Sequence, residues 1–244
     1  PARMASSRFP GKPLEMILYI PILAHCYERA LLSGVCDNLV IATPDQEIID
    51  WATQFEIPSV LTSHSHKRAT ERAKETLDIL TNDGLHYDLV LLLQGDEPQI
   101  FPEDIGNLKQ AFSNNELDVV NLVFPISDDG LENPNIVKVA LDKNLTIHFF
   151  SRSHIPHDCI SGYRQLGMIG LTKKALNNYV SLLPTSLEEV ESIDMMRLIE
   201  NDFSIQGVLS NSPILGVDTP QDLKKVEKIM TNDKFVNLYK EKYI

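Results

Sequence analysis

Apolar residues occur along this chain in short bursts separated by polar turns, and the bursts alternate between two periods. After Pro21, the residues Leu23, Tyr27, Ala30 and Leu31 recur at helical spacing as far as Ser33-Gly34, with proline as the helix opener. Residues 38–43 then read as a short buried strand, Pro44-Asp45 as a turn, 46–55 as a helix and 59–62 as a second strand. A helix over 70–80 leads to Tyr-Asp-Leu-Val-Leu-Leu-Leu at 87–93, the most apolar strand, patterned for burial on both faces. A helix over 103–112 and a strand over 118–125 follow. Residues 136–141 and 145–150 alternate in polarity about the turn 142–144, which predicts a β-hairpin. Beyond it come a strand over 164–171, a helix over 174–182 and a strand over 204–209. Residues 186–199 read as one amphipathic helix, with Val190, Ile193, Met196 and Ile199 three apart and Glu188, Glu191 and Asp194 in a row beside them. Thr219 as N-cap, Pro220 and Asp222 start a last helix.

Strand and helix alternating with short connections predict an α/β fold with a doubly wound, mostly parallel sheet. We read residues 1–244 as a single domain with an inserted hairpin arm at about 126–160, placed to pack on a second subunit. In such sheets ligands gather at the carboxyl ends of the strands. The segment 1–14 has the composition of a loop that normally follows a strand, so the reading expects a first strand ahead of Pro1.

Composition narrows the partners. A formal net charge of −12 lacks the basic face a nucleic-acid binder needs, and no apolar run approaches the ~18 residues of a membrane span. Cys26, Cys36 and Cys159 are unevenly spaced without a CxxC pair, as expected of reduced thiols in the cytoplasm. None has an evident His and acid companion set that would make it a nucleophile. His64 and His66 lack partners for a zinc site.

The chemistry-bearing residues sit in the predicted loops. Arg3, Arg8 and Lys12 fall four to five positions apart, with Ser6, Ser7 and Gly11 among them, a set able to wrap a triphosphate; the alternative is a solvated basic segment. Asp96, in Gln94-Gly95-Asp96-Glu97-Pro98 after the apolar strand, and Asp218, in Gly216-Val217-Asp218, both follow strands. Two such carboxylates suit Mg²⁺ completed by phosphates and water. For Asp218 the competing role is a cap on the next helix. Thr70-Glu71-Arg72 opens a helix whose N–H groups and arginine suit a base edge or a phosphate.

Six segments together resemble the CMP-Kdo synthetases (3-deoxy-manno-octulosonate cytidylyltransferases) along nearly the whole chain. They are PAR..SSRFPGKPL at 1–14, TER at 70–72, QGDEP at 94–98, NPNIVKVALD at 133–142, FFSR..IP at 149–156 and GVDTPQDL at 216–223. The resemblance implies a nucleotide-diphospho-sugar transferase fold, a homodimer, and transfer of CMP from CTP to the anomeric hydroxyl of an acidic sugar for surface polysaccharide synthesis. It implies that Arg3, Ser7, Arg8 and Lys12 hold the triphosphate and that Thr70 and Arg72 lie near the cytidine. It also implies that Gln94, Arg152 and Glu188 or Glu191 face the sugar and that Asp96 and Asp218 hold Mg²⁺. Lys12, Arg3 and Asp96 would carry the chemistry, with no His or Cys base. Three positions depart from the family pattern: Arg68-Ala69 replaces Ser-Gly before Thr70, Tyr19 replaces a glycine, and Gln165 to Gly170 replaces a sugar-side His-Leu-Gly-Ile-Tyr-Gly. The nucleotide half is therefore kept better than the sugar half. A related ulosonic acid is the second candidate substrate, and a catalytically silent nucleotide-binding homologue the alternative function.

Overall fold

A computed structural model of the chain describes residues 1–5, 8–114 and 116–244. In chain order the strands and helices begin β1 (Met16–Ile17), β2 (Ile20–Pro21), α1 (Ile22–Leu32), β3 (Ile41–Thr43), α2 (Gln46–Gln54) and β4 (Ser59–Leu61). They continue α3 (Ala69–Asn82), β5 (Leu89–Leu93), α4 (Pro102–Ala111), β6 (Val119–Ser127), α5 (Asp128–Glu132), β7 (Lys138–Leu141) and β8 (Thr146–Ser151). The last are β9 (Ser161–Thr172), α6 (Lys173–Ser181), α7 (Ser186–Glu191), α8 (Met195–Ile199), β10 (Ile205–Leu209) and α9 (Pro220–Met230). The chain forms two compact units, one of residues 1–67, 93–106 and 214–244 and the other of 68–92 and 107–213.

In the first unit β3 and β4 pair in parallel, and Ala2 donates its backbone N–H to the Ala42 carbonyl. Leu23, Ile41, Ile48, Ala52 and Ile57 form the core beneath them, with Trp51, Phe55 and Tyr243 packed against it. Buried His25 on α1 joins two distant segments. Its Nε2 lies 2.9 Å from the Ile17 carbonyl, which only accepts, so that nitrogen carries the proton and Nδ1 accepts from the Tyr239 hydroxyl at 2.7 Å. Burial pushes the imidazole pKa down to about 4, against a smaller upward pull from the Ile17 carbonyl. The unfolded chain therefore takes up a proton near pH 6.5 that the folded one refuses, and stability falls as pH drops from 6.5 towards 4. The shift corresponds to about 3 kcal/mol. Urea titrations of wild type between pH 7 and 4 should show that slope, and His25→Asn should flatten it.

The second unit is built on a six-stranded sheet of order β5-β9-β6-β10-β8-β7. The expected parallel pairing holds for β6–β10, while β9 runs antiparallel to β6 and β8 antiparallel to β10. The predicted hairpin forms as β7–β8, and its strands are members of this sheet, β8 pairing with β10 and β7 with β9. Val119, Val123, Phe150, Ile169, Leu176 and Met196 belong to its core. The β6–β9 ladder shifts register between Asn121 and Val123, where Leu166, Gly167 and Met168 bulge opposite a single residue. Buried Asn121 satisfies the bulge, its Nδ2 donating to the carbonyls of Leu166 and Met168, each at 3.0 Å.

One predicted element is corrected. Residues 186–199 are not one helix: α7 ends at Ser192, which turns left-handed at φ 57°, and α8 restarts at Met195. The apolar spacing of three survives the break, so periodicity alone could not reveal it.

Candidate active site

The first unit brings Asp96, three residues past β5, and Asp218, which no strand directly precedes, together with the N-terminal cations. Gly11, at φ 77°, turns the chain into a single 3₁₀ turn over Lys12–Leu14 and directs buried Lys12 inward. Its Nζ lies 2.6 Å from Asp96 Oδ2 and 3.5 Å from Asp218 Oδ1, and Arg8 reaches the same Asp218 oxygen at 2.9 Å. The two loops are tied directly by Val217 N–H donating to the Asp96 carbonyl at 2.9 Å. Gly95 is required by close approach, since a Cβ there would stand 2.9 Å from Leu23 Cδ1 and 3.2 Å from the Pro1 carbonyl oxygen.

The capping role considered for Asp218 belongs to its neighbours. Thr219 Oγ1 accepts from Asp222 N–H, and Asp222 Oδ2 accepts from the N–H groups of Asp218 and Thr219. The Asp218 carboxylate is left facing Arg8 and Lys12. Arg3 is exposed and Gln94 half-buried in this unit. Ser7 lies outside the described residues.

The remaining expected ligands are in the second unit. Thr70 donates both its N–H and its hydroxyl to Asp194 Oδ2, at 3.3 and 3.0 Å, so an acid sits at the N-terminus of α3. Burial pushes the Asp194 carboxyl up, opposed by the Arg68 charge and the Thr70 hydrogen bonds. Arg72 is buried on α3. Gln165 donates to Asn121 Oδ1 at 2.6 Å, which ties it to the β-bulge. Arg152 donates from Nε to the Glu191 carbonyl at 3.0 Å, while the two Glu191 carboxylate oxygens accept from the Ser151 hydroxyl and the Arg152 N–H. Glu191 thus fixes the end of β8 and with it Arg152.

Glu188 is corrected from its expected sugar-facing role. Its side chain is 1% exposed, and Arg197 binds both carboxylate oxygens, Nε to Oε2 at 2.7 Å and Nη2 to Oε1 at 2.8 Å. Arg68 Nε adds a third contact at 3.1 Å. Burial alone would raise the Glu188 carboxyl; the hydrogen bonds and charge of Arg197 outweigh it and hold the group below the usual range. Arg197 also stands 4.2 Å over the Tyr179 ring. Sequence reasoning passed over Arg197, although one cation inside Met195-Met196-Arg197-Leu198-Ile199 signals a buried, paired arginine.

Comparison with known proteins supplies the family. A family model described as Cytidylyltransferase matches residues 1–207. The 3-deoxy-manno-octulosonate cytidylyltransferase of Thermodesulfovibrio yellowstonii is 38% identical, over 94% of this chain and 96% of that protein. The enzyme of the same name from Bacteroides thetaiotaomicron is 35% identical, over 95% of this chain and 96% of that protein. A solved structure of CMP:2-keto-3-deoxy-manno-octonic acid synthetase complexed with CTP superposes with a TM-score of 0.87 at 31% identity, covering 96% of this chain and 97% of that one. The 4-diphosphocytidyl-2C-methyl-D-erythritol synthase of Anaerococcus prevotii, at 14% identity and a TM-score of 0.63 over 94% and 96%, shares the fold alone. With Lys12, Asp96 and Asp218 gathered by the segments that carry the resemblance, the chain belongs to the 3-deoxy-manno-octulosonate cytidylyltransferase family.

Proposed function

We propose that this chain transfers the CMP group of CTP to the anomeric hydroxyl of 3-deoxy-manno-octulosonate. The sugar oxygen attacks the α-phosphorus, the bond from that phosphorus to the α,β-bridging oxygen breaks, and pyrophosphate leaves. The observation that carries this reading is the contact of Lys12 with both Asp96 and Asp218.

Nucleotidyl transfer asks a protein mainly for positioning and for balancing phosphate charge. Arg3, Arg8 and Lys12 are the cations for the triphosphate, and Lys12 and Arg8 hold the charge of Asp96 and Asp218 in its absence. Thr70 and Arg72 are assigned to the cytidine, and Gln94, Arg152 and Gln165 to the sugar, with Glu191 as the positioning residue behind Arg152. The donor set also fits Mg²⁺. Asp96 and Asp218 offer hard oxygens within reach of one ammonium, and no cluster of three or more acids, histidines or cysteines suited to a metal occurs among the described residues. That is the habit of magnesium, which takes one or two carboxylates and completes its shell with phosphate oxygens and water. When bound there, the ion would neutralise phosphate charge and make the sugar hydroxyl more acidic.

Pyrophosphate release should require CTP and 3-deoxy-manno-octulosonate together, stop with EDTA and return with excess Mg²⁺. A panel of other ulosonic acids should turn over more slowly. If calorimetry found CTP binding but no acid in the panel released pyrophosphate, the chain would be a silent nucleotide-binding homologue instead.

A further inference from the structure

Buried Asn121 on β6 orients a second amide, on β9. Its Nδ2 stands 3.1 Å from the Leu122 carbonyl oxygen and 3.0 Å from those of Leu166 and Met168. Three oxygens that only accept settle which end of the Asn121 amide is nitrogen, because the opposite assignment would bury oxygen against oxygen. Its Oδ1 is therefore the end that lies 2.6 Å from Gln165, and there it can only accept. Gln165 must present Nε2 to it, which turns Gln165 Oε1 away from Asn121.

That oxygen is left over. Oε1 has no hydrogen-bond partner among the described residues, and the half-buried side chain leaves it within reach of solvent. The backbone at this point is pinned as well. Gln165 N–H donates to the Val137 carbonyl at 2.8 Å, and the residue stands opposite Val123 in the β6–β9 ladder. An imidazole, which the family pattern places here, can donate or accept according to its tautomer and charge. The end of the amide that this chain leaves free can only accept.

We infer that Gln165 is a specificity-determining residue for the sugar and Asn121 its positioning residue: Oε1 accepts a hydrogen bond from one hydroxyl of the bound ulosonic acid. The inference rests on the reaction proposed above, which assigns Gln165 to the sugar. What it adds is the direction of the bond and the residue that sets it. A hydroxyl can donate to Oε1, whereas a hydrogen or a fluorine at the same carbon cannot, so acids lacking that hydroxyl are rejected.

The test is steady-state pyrophosphate release by the full chain with CTP and 3-deoxy-manno-octulosonate, beside the monodeoxy and monofluoro analogues of the sugar. Gln165→Met keeps the length of the side chain and removes its polar end. It should raise the sugar KM about tenfold, with kcat and the CTP KM within about twofold of wild type. At one carbon of the sugar, the deoxy and fluoro analogues should each raise the wild-type KM about tenfold and that of Gln165→Met less than about twofold. Asn121→Ala should raise the sugar KM of wild type at least about fivefold and that of Gln165→Met less than about twofold. If Asn121→Ala does not fold, Gln165→Met and the analogues decide. Three results would overturn the inference: an unchanged sugar KM in Gln165→Met, a fluoro analogue that binds like the parent where the deoxy one does not, or an Asn121→Ala effect undiminished in Gln165→Met. A wild type inactive with every ulosonic acid would instead overturn the reaction, and this inference with it.

Discussion

Asp96→Asn should lower the rate of CMP-sugar formation at saturating CTP and metal by at least about a hundredfold while leaving the thermal midpoint nearly unchanged. The substitution keeps the side-chain shape and removes the charge 2.6 Å from Lys12 Nζ. Lys12 is then left with Asp218 at 3.5 Å, an oxygen it shares with Arg8. Because the Asp96 side chain is 28% exposed, the altered pairing is relieved by water, and folding should hardly register it. The measurement is kcat from pyrophosphate release beside a calorimetric melt of the same preparation. A rate within twofold of wild type would remove Asp96 from the reaction, and with it the argument that the acids and Lys12 act together.

Glu188→Gln should behave in the opposite way. The amide takes from Arg197 the buried carboxylate that binds it twice, leaving it Glu71 at 3.3 Å, and leaves Arg68 with Asp194 at 3.8 Å. Breaking a buried pair from one side is destabilising by about 3–5 kcal/mol, and the remaining acids set this loss towards the lower end. The loss is to be read from urea unfolding with and without CTP. At a temperature where the variant is folded, KM for the sugar should stay within about twofold of wild type. A raised sugar KM with unchanged stability would return Glu188 to the substrate and contradict its burial.

The sequence made some of this legible for identifiable reasons. The last helix begins where Thr219, Pro220 and Asp222 set it, because cap, ring and acid act within four residues. Asp96 follows β5 as expected, but Asp218 comes nine residues after β10 with no strand directly before it, and it meets Asp96 because Val217 N–H binds the Asp96 carbonyl. What stayed hidden depends on distant partners. Nothing local in Ser186-Leu187-Glu188 distinguishes a solvated acid from one that will meet Arg197 and Arg68. Ser192 adopts a left-handed conformation that its own side chain does not favour, so the surrounding contacts impose it.

The bulge held by Asn121 also limits how this chain can change its length. Two extra residues of β9 are accommodated there, so Val123 opposite Gln165 and Asn121 opposite Ile169 keep the same facing on either side. Loss of one residue among Leu166, Gly167 and Met168 would leave two opposite Leu122, the count of an ordinary bulge, but would move the Leu166 and Met168 carbonyls away from the Asn121 amide that now holds them. The amide therefore sets the size of the bulge as well as satisfying it.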